Sequence, residues 1–137
     1  MNDPILVDNL IRSRRPGFSL SFAIGNGKMI DLPIIPITYI AADKDVSIFY
    51  FEGYDRKKIS ISQSISLCEQ ELAPYGFIRI HRTYIINLSF LKKLYRKEKS
   101  WVCQLFGGTE LSVSRRKQKA FFEKLNQSQI NRLSKKD

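Results

Sequence analysis

The sequence predicts a mainly β domain with one helix in mid-chain and a second helix near the C-terminus. Short runs of alternating or continuous apolar residues, bounded by Gly, Pro, Asn and Asp, recur along most of the chain, as is typical of antiparallel sheets. Two stretches break this rhythm with apolar residues at helical spacing. With 137 residues, of which 43% are hydrophobic, the chain has the length and composition of one compact domain.

The first predicted strands form a hairpin. Every second residue of Phe18–Ile24 is strongly apolar, which is the pattern of a half-buried strand. The Gly25–Lys28 segment contains residues that tolerate a positive φ, so we expect a turn into a second strand, Met29–Leu32. Pro33 and Pro36 cannot donate backbone hydrogen bonds to a neighbouring strand, which places this stretch at an edge or a corner.

Three more strands and a helix are predicted in the middle of the chain. The strand-like segments are Tyr39–Ala42, Val46–Glu52 and Ile59–Ile61, the first two joined by the polar loop 43–45. Apolar residues at positions 61, 65, 68 and 72 then lie on one helical face, which predicts a helix over residues 61–72. Its start could be capped by Ser62 or Ser64, and Pro74-Tyr75-Gly76 ends it.

The remaining segments are extended until the last helix. The predicted strands lie in Phe77–Ile86, Leu91–Tyr95, Trp101–Phe106 and Thr109–Ser114. The basic turn 96–99 joins the middle two. A two-residue turn at Gly107-Gly108 joins the last two, so that Val102 and Val113 would share one face.

Ser114 could cap a final helix that begins at Arg115 and buries Phe121, Phe122 and Leu125. These elements divide the chain into a lead-in at residues 1–17, a domain at 18–125 and a polar tail at 126–137 that is expected to fray.

Basic residues are concentrated in one third of the chain. The formal net charge is +10, and residues 79–119 hold eleven basic residues against two acidic ones, a net charge of +9. Residues 1–78 hold eight basic and nine acidic residues, a net charge of −1. Such a one-sided excess repels itself without a partner and favours a polyanionic partner, although a solvated face balanced by other parts of the fold is the alternative.

The sequence lacks the motifs of enzymes, metal sites and membrane proteins. His81 is the only histidine, Cys68 and Cys103 have no metal-binding spacing, and no phosphate-binding glycine loop or nucleophile elbow is present. No apolar run approaches the roughly 18 residues that span a bilayer, and the start lacks a secretory pattern. We therefore expect a reduced, soluble, cytoplasmic protein without catalytic activity, cofactor, metal or membrane association.

If the partner is DNA, the loops between strands must bind it. A helix-turn-helix needs two successive helices, and only one convincing helix is predicted in mid-chain. That helix carries Glu69 and Glu71, which phosphates would repel, so we interpret it as structural.

Three segments have a recognisable pattern. Phe77-Ile78-Arg79-Ile80-His81-Arg82-Thr83-Tyr84-Ile85-Ile86-Asn87-Leu88 reads as an aromatic, an apolar residue, Arg, an apolar residue, His, Arg, Thr, apolar residues and Asn. Leu111–Arg116 contains an apolar-x-Val-Ser-Arg run after a glycine hairpin. These segments resemble the two signatures of LytTR DNA-binding domains, and Ile37–Ala42 is similar to the family's first strand, with alanine where an acidic residue is usual. The resemblance covers residues 20–125.

The resemblance implies a bacterial transcription regulator with an elongated antiparallel β fold. Such domains read double-stranded DNA through loops in successive major grooves, usually as two copies on paired sites. By position, the contacts would come from the 43–47 loop with Ser47, from Arg82 after His81, and from Arg115. The lead-in is too short for the receiver or membrane domain that many members carry, so control could come from a separate signalling partner or from expression level.

The chemistry of these side chains suits their implied roles. The planar fork of Arg115 can donate two hydrogen bonds to guanine, whereas Arg82 suits a narrow groove or a phosphate, with a surface salt bridge as the alternative. His81 could donate to a phosphate or be a hydrogen-bonded structural residue, and Asn87 is expected to cap a turn. Exposed lysines and Arg116 would attract phosphates without sequence preference. The candidate DNA-binding residues are Lys44, Ser47, His81, Arg82, Lys97, Lys99, Arg115, Arg116 and Lys119, with Lys117 as a further phosphate-attracting residue.

Two other partners are compatible with the charge. A peripheral interaction protein would dock this basic face on acidic lipids or on an acidic protein surface. A structured RNA would present a similar array of phosphates.

Overall fold

The computed structural model describes residues 18–136, and the side chains of residues 18–127, so the lead-in at 1–17 lies outside the described residues. Two short 3-10 helices, Ala73–Tyr75 and Leu88–Phe90, link larger elements. The larger elements are β1 (Ser19–Gly25), β2 (Lys28–Pro33), β3 (Ile37–Asp43), β4 (Val46–Phe51), β5 (Lys58–Ile61), α1 (Ile65–Leu72), β6 (Phe77–His81), β7 (Tyr84–Asn87), β8 (Leu91–Lys97), β9 (Ser100–Leu105), β10 (Glu110–Val113) and α2 (Arg115–Lys136).

The strands form three antiparallel groups. A five-stranded sheet has the order β5-β4-β3-β7-β6, a three-stranded sheet has the order β10-β9-β8, and β1 and β2 form a separate hairpin. With α1 in mid-chain and α2 at the end, this arrangement confirms the predicted fold class.

The five-stranded sheet separates two apolar cores. Along β6 and β7, Phe77 and Ile85 enter the core shared with the hairpin and α1, whereas Ile78 and Ile86 enter the core shared with the three-stranded sheet and α2. Adjacent residues of a strand point to opposite faces, so the apolar pairs at 77–78 and 85–86 can serve both cores. Phe121 of α2 is fully buried in the second core, as the sequence predicts.

Helix α1 is shorter than its apolar pattern predicts. It begins at Ile65 because the Ser64 hydroxyl accepts a hydrogen bond from the Leu67 backbone N–H at 3.2 Å. Ile61, predicted both as the end of the strand 59–61 and as the first residue of the helix, is the last residue of β5. The strand prediction is therefore confirmed there, and the helix prediction is wrong. The chain leaves the following 3-10 helix through Gly76, whose φ of 88° is accessible to glycine without strain.

The β9–β10 connection differs from the predicted two-residue turn. Residues 106–109 form a four-residue loop, closed by a 2.8 Å hydrogen bond from the Leu105 N–H to the Thr109 carbonyl. Val113 consequently pairs with Trp101, and Ser112 pairs with Val102. The predicted register was wrong by one residue, which moves Val113 to the face that it shares with Trp101.

Helix α2 begins at Arg115 as predicted but continues to Lys136. It therefore runs through most of the segment that was expected to fray as a tail. The sequence from Arg115 onward contains no Gly or Pro that would end a helix earlier.

Candidate nucleic-acid interface

Three loop segments meet at one end of the five-stranded sheet. The Ala42 N–H at the end of β3 donates to the Thr83 carbonyl in the β6–β7 turn at 2.9 Å. The Ser114 N–H, between β10 and α2, donates to the Ile80 carbonyl at 2.8 Å. These two bonds place the β3–β4 turn and the β10–α2 junction on either side of the β6–β7 turn.

The β8–β9 turn lies at the same end. Val113, the last residue of β10, pairs with Trp101, and Lys97 pairs with Ser100 across the turn. The turn residues 98 and 99 are therefore close in the sheet to the start of α2. Four connections that are far apart in sequence converge at this end of the described structure.

An open concavity lies between the β6–β7 turn and the start of α2. Arg82, Arg115 and Arg116 are exposed, and Lys117 is half-buried. The residues that line it are Arg79, His81, Arg82, Ser114, Arg115, Arg116 and Lys117.

The first turn of α2 adds to the positive potential of this concavity. It contains Arg115, Arg116 and Lys117 and no acidic residue. The backbone N–H groups at a helix N-terminus already carry partial positive charge, so each added cation is unfavourable by about 0.3–1 kcal/mol. The arrangement costs helix stability and creates a site that attracts anions.

The turn between β6 and β7 consists of Arg82 and Thr83 and is held by His81. Nδ1 of His81 accepts the Thr83 backbone N–H at 3.1 Å and lies 3.0 Å from the Thr83 hydroxyl. Because Nδ1 acts as an acceptor, the proton of the neutral ring is assigned to Nε2, which can donate to a ligand. The two interpretations left open for His81 are therefore compatible, one for each ring nitrogen.

Arg82 is exposed within this turn. Among the side chains of residues 18–127, no carboxylate lies within ion-pair distance of its guanidinium, so the surface salt bridge considered above is not observed there. Its backbone carbonyl, in contrast, accepts a hydrogen bond at 2.6 Å from Nη2 of Arg79.

Arg79 belongs to this site, although it is part of the first signature and was not among the candidate DNA-binding residues. Its Nε donates to the His81 carbonyl at 2.9 Å, and its Nη1 contacts Oε1 of Glu69 on α1 at 2.8 Å. A cation within the apolar run Phe77–Ile80, two residues before His81, is the signal that could have identified it.

Of the two candidate residues in and beside the β3–β4 turn, one is exposed and the other is buried. Lys44 is exposed and has a φ of 59° at the tip of the turn. Ser47 is fully buried, and its hydroxyl donates to the Gln63 carbonyl at 2.8 Å. Because Ser47 has no free surface in this structure, we do not include it in the proposed interface.

The other basic candidates lie on the β8–β9 turn and on α2. Lys97 and Lys99 are exposed in the β8–β9 turn, where Glu98 between them has a φ of 58°. Lys119 is exposed on α2, just beyond the helix start. Arg96 is near this turn but lies over the ring of Trp101 at 5.5 Å, which directs it to its own strand pair.

The described part of the chain lacks the features of two other classes of site. Across residues 18–136, neither helix combines the length and apolar character of a membrane-crossing helix. In the same part of the chain, no group of three or more His, Cys, Asp or Glu side chains is arranged to hold a metal ion.

Comparison with solved structures identifies a related fold. The LytTr DNA-binding domain of a protein described as a methyl-accepting/DNA response regulator from Bacillus cereus superposes with a TM-score of 0.64 at 20% identity. The match covers 78% of this chain and 95% of that domain. A comparison with curated proteins found no match.

Comparison with protein families gives a match to one family model. The model described as the LytTr DNA-binding domain matches residues 27–126, which contain β2 to β10 and the start of α2. The matched region therefore includes all four converging connections. The chain belongs to the LytTR family of DNA-binding domains.

Proposed function

We propose that this chain is a transcription regulator that binds double-stranded DNA with sequence preference through the end where the four connections meet. The family is one of DNA-binding domains and not of enzymes, which supports DNA as the partner. The observation that carries the proposal is the placement of Arg82 and Arg115 on one concavity, from loops that are 33 positions apart in sequence.

The two arginines would have different roles. Arg115 lies at the start of a helix and is exposed, so its guanidinium can donate two hydrogen bonds to O6 and N7 of guanine in a major groove. Arg82 extends from a tight turn and would contact a phosphate or a narrow groove nearby. In this arrangement the rigid strands set the separation between the two contacts.

The surrounding cations would supply affinity without sequence preference. Lys44, Lys97, Lys99, Arg116 and Lys119 are all exposed near these arginines, and Nε2 of His81 can donate to a phosphate. Contacts to phosphates position a protein on the duplex, whereas contacts to base edges select the sequence. We propose two copies of the chain on paired sites, as the resemblance to LytTR domains implies.

The direct test is the selection of bound sequences from a random pool of duplex DNA. We expect an enriched motif, and its symmetry would report whether two copies bind paired sites. Competition with structured RNA and with anionic vesicles measures the affinity for the two other kinds of partner relative to that for duplex DNA. Equal affinity for the enriched duplex and for a scrambled duplex at moderate salt would contradict the proposal.

Two substitutions separate base reading from phosphate attraction. Arg115→Ala should weaken binding to the enriched duplex roughly 5- to 150-fold while changing binding to scrambled duplex much less, as expected for a lost bidentate base contact. Lys97→Ala should weaken binding to both duplexes by a similar factor and lower the slope of log K against log[salt] by about 0.9. The affinities can be measured by fluorescence anisotropy over a series of salt concentrations.

The two substitutions are controls for each other. Both remove an exposed cation from the same end of the molecule, so the change in net charge is identical. If both variants lost affinity equally on the two duplexes, Arg115 would have no role in base reading.

A further inference from the structure

We propose that Arg79 is a positioning residue that aims the side chain of Arg82 at DNA without contacting DNA itself. This inference rests on the proposed function, because it explains how one of the two arginines of that interface is held. It adds Arg79 to the proposed interface, in a role that its charge alone does not indicate.

The hydrogen bonds of Arg79 surround the backbone of Arg82. Nε of Arg79 donates to the His81 carbonyl at 2.9 Å, and Nη2 donates to the Arg82 carbonyl at 2.6 Å. These two carbonyls belong to the peptide groups on either side of the Arg82 Cα. One planar guanidinium therefore fixes both peptide planes and, with them, the direction in which the Arg82 side chain leaves the turn.

The third contact of Arg79 connects the turn to the core. Nη1 contacts Oε1 of Glu69 at 2.8 Å, and Glu69 lies on α1 between the fully buried residues Cys68 and Leu72. The helix is thereby a rigid support for the guanidinium. The carboxylate also neutralises the charge of Arg79, so this cation adds little to the repulsion among the exposed arginines.

The position of Arg79 argues against a direct contact with phosphate. Its side chain is 10% exposed, and Nε, Nη1 and Nη2 each have a partner within the protein. Although Arg79 lines the concavity, three of the five N–H groups of its guanidinium are already bonded within the protein. Arg82 presents the opposite arrangement, with its backbone held and its side chain exposed.

A double-mutant cycle on DNA affinity tests this role. We expect Arg79→Ala to weaken binding to the enriched duplex roughly 3- to 10-fold, since the Arg82 turn must then be ordered during binding. In the Arg82→Ala background, Arg79→Ala should add less than about twofold, because the side chain that it positions is absent. Equal losses in both backgrounds would overturn the proposal.

The salt dependence separates positioning from direct contact. If Arg79 only positions Arg82, Arg79→Ala leaves the slope of log K against log[salt] unchanged. A lost phosphate contact would instead lower that slope by about 0.9. A lower slope for Arg79→Ala in the presence of Arg82 would therefore contradict the inference.

Conservative variants distinguish the effect of the planar guanidinium of Arg79 from the effect of its charge. Arg79→Lys keeps the charge but cannot hold two carbonyls and a carboxylate in one plane, so we expect it to resemble Arg79→Ala. Glu69→Gln keeps an oxygen that can accept a hydrogen bond from Arg79, so we expect its DNA affinity to be close to that of the wild type. Glu69→Ala removes this acceptor and should weaken DNA binding. Wild-type DNA affinity of Arg79→Lys would show that the charge of residue 79 matters and its geometry does not.

A measurement without DNA keeps the inference testable if the proposed function fails. Amide exchange of the Thr83 N–H, followed by NMR in the free protein, should be faster in Arg79→Ala than in the wild type, while protection in β3 and β4 is unchanged. Unaltered Thr83 exchange would overturn the positioning role. Wild-type protein that shows no preference for any duplex would contradict the proposed function alone.

Discussion

At the scale of single residues, the proposed interface combines a fixed backbone with free side chains. Arg82 is exposed, but its backbone is held by Arg79 and, through Thr83, by His81 and β3. Arg115 obtains the same combination from the start of a helix and from the Ser114 bond to β6. Side chains held in this way lose less conformational freedom on binding than side chains on mobile loops.

The two ring nitrogens of His81 can be separated by substitution. His81→Asn should keep an acceptor near the Nδ1 position and remove the Nε2 donor, so we expect wild-type stability but weaker DNA binding. His81→Ala also removes the acceptor of the Thr83 N–H, which should lower the free energy of unfolding by about 1 kcal/mol. Urea denaturation and duplex affinity, measured on both variants, check this prediction. Unchanged affinity of His81→Asn would exclude a contact from Nε2.

Residue types on the surface of the site could be predicted from the sequence, but their partners could not. Arg82, Arg115 and the lysines are visible as a local excess of charge, and the structure places them at one end. Ser47 looks equally available in the sequence, yet it is buried against Gln63 in a tertiary contact. The role of Arg79 depends on Glu69, ten positions away on another element, which no local pattern reports.

At the scale of elements, the boundaries and the strand register likewise depend on tertiary contacts that the sequence does not reveal. Alternating patterns predict the strands that are buried on one side, and continuous apolar runs predict β6 and β7, which are buried on both sides. Ile61 ends a strand although it continues the helical spacing of α1, since burial alone does not distinguish the two elements. The β9–β10 register depends on the length of a glycine loop, which Gly107-Gly108 leaves undetermined between two and four residues.

Asn87 joins two elements and caps a third, and its removal should destabilise the fold. Its Nδ2 donates to the Ile37 carbonyl at 2.8 Å, and its Oδ1 accepts the Ser89 N–H at 3.1 Å, in a fully buried position. Asn87→Ala leaves the buried Ile37 carbonyl and the half-buried Ser89 N–H without partners, so we expect a loss of about 2–4 kcal/mol in the free energy of unfolding. Urea denaturation measures this loss.

Ser89→Ala is the matched control for Asn87. It removes only the hydroxyl bond to Oδ1, at 3.0 Å, and should cost about 1 kcal/mol or less. Neither variant should change the DNA affinity of the folded protein, because Asn87 lies at the end of β7 opposite to the β6–β7 turn. A loss for Asn87→Ala no larger than that for Ser89→Ala would contradict the capping role.

At the scale of the whole molecule, one sheet supports two cores and carries the candidate interface at one end. The core with α1 fixes Arg79 through Glu69, and the core with α2 fixes the start of the helix that carries Arg115. The relative position of the two arginines therefore depends on both cores. A substitution in either core can alter DNA binding through this geometry.

Each core also contains one buried thiol, Cys68 in the first and Cys103 in the second. Burial raises the pKa of Cys68 from its ordinary value of 9.0 to about 11, although the neighbouring Ser47 hydroxyl acts in the opposite direction. Burial raises the pKa of Cys103 to about 12. Both thiols should therefore resist alkylation until the chain unfolds.

These pKa values predict that the protein loses stability in alkali. The unfolded chain releases the thiol protons above pH 9, whereas the folded chain retains them to about pH 11 at Cys68 and about pH 12 at Cys103, so the free energy of unfolding falls as the pH rises through this window. At pH 10 the two thiols together should lower it by about 2–3 kcal/mol relative to pH 7. The measurement is urea denaturation at both values of pH, with Cys68→Ala/Cys103→Ala as the control that keeps all other titrating groups. If the control lost as much stability between pH 7 and pH 10 as the wild type, the buried thiols would not be the cause.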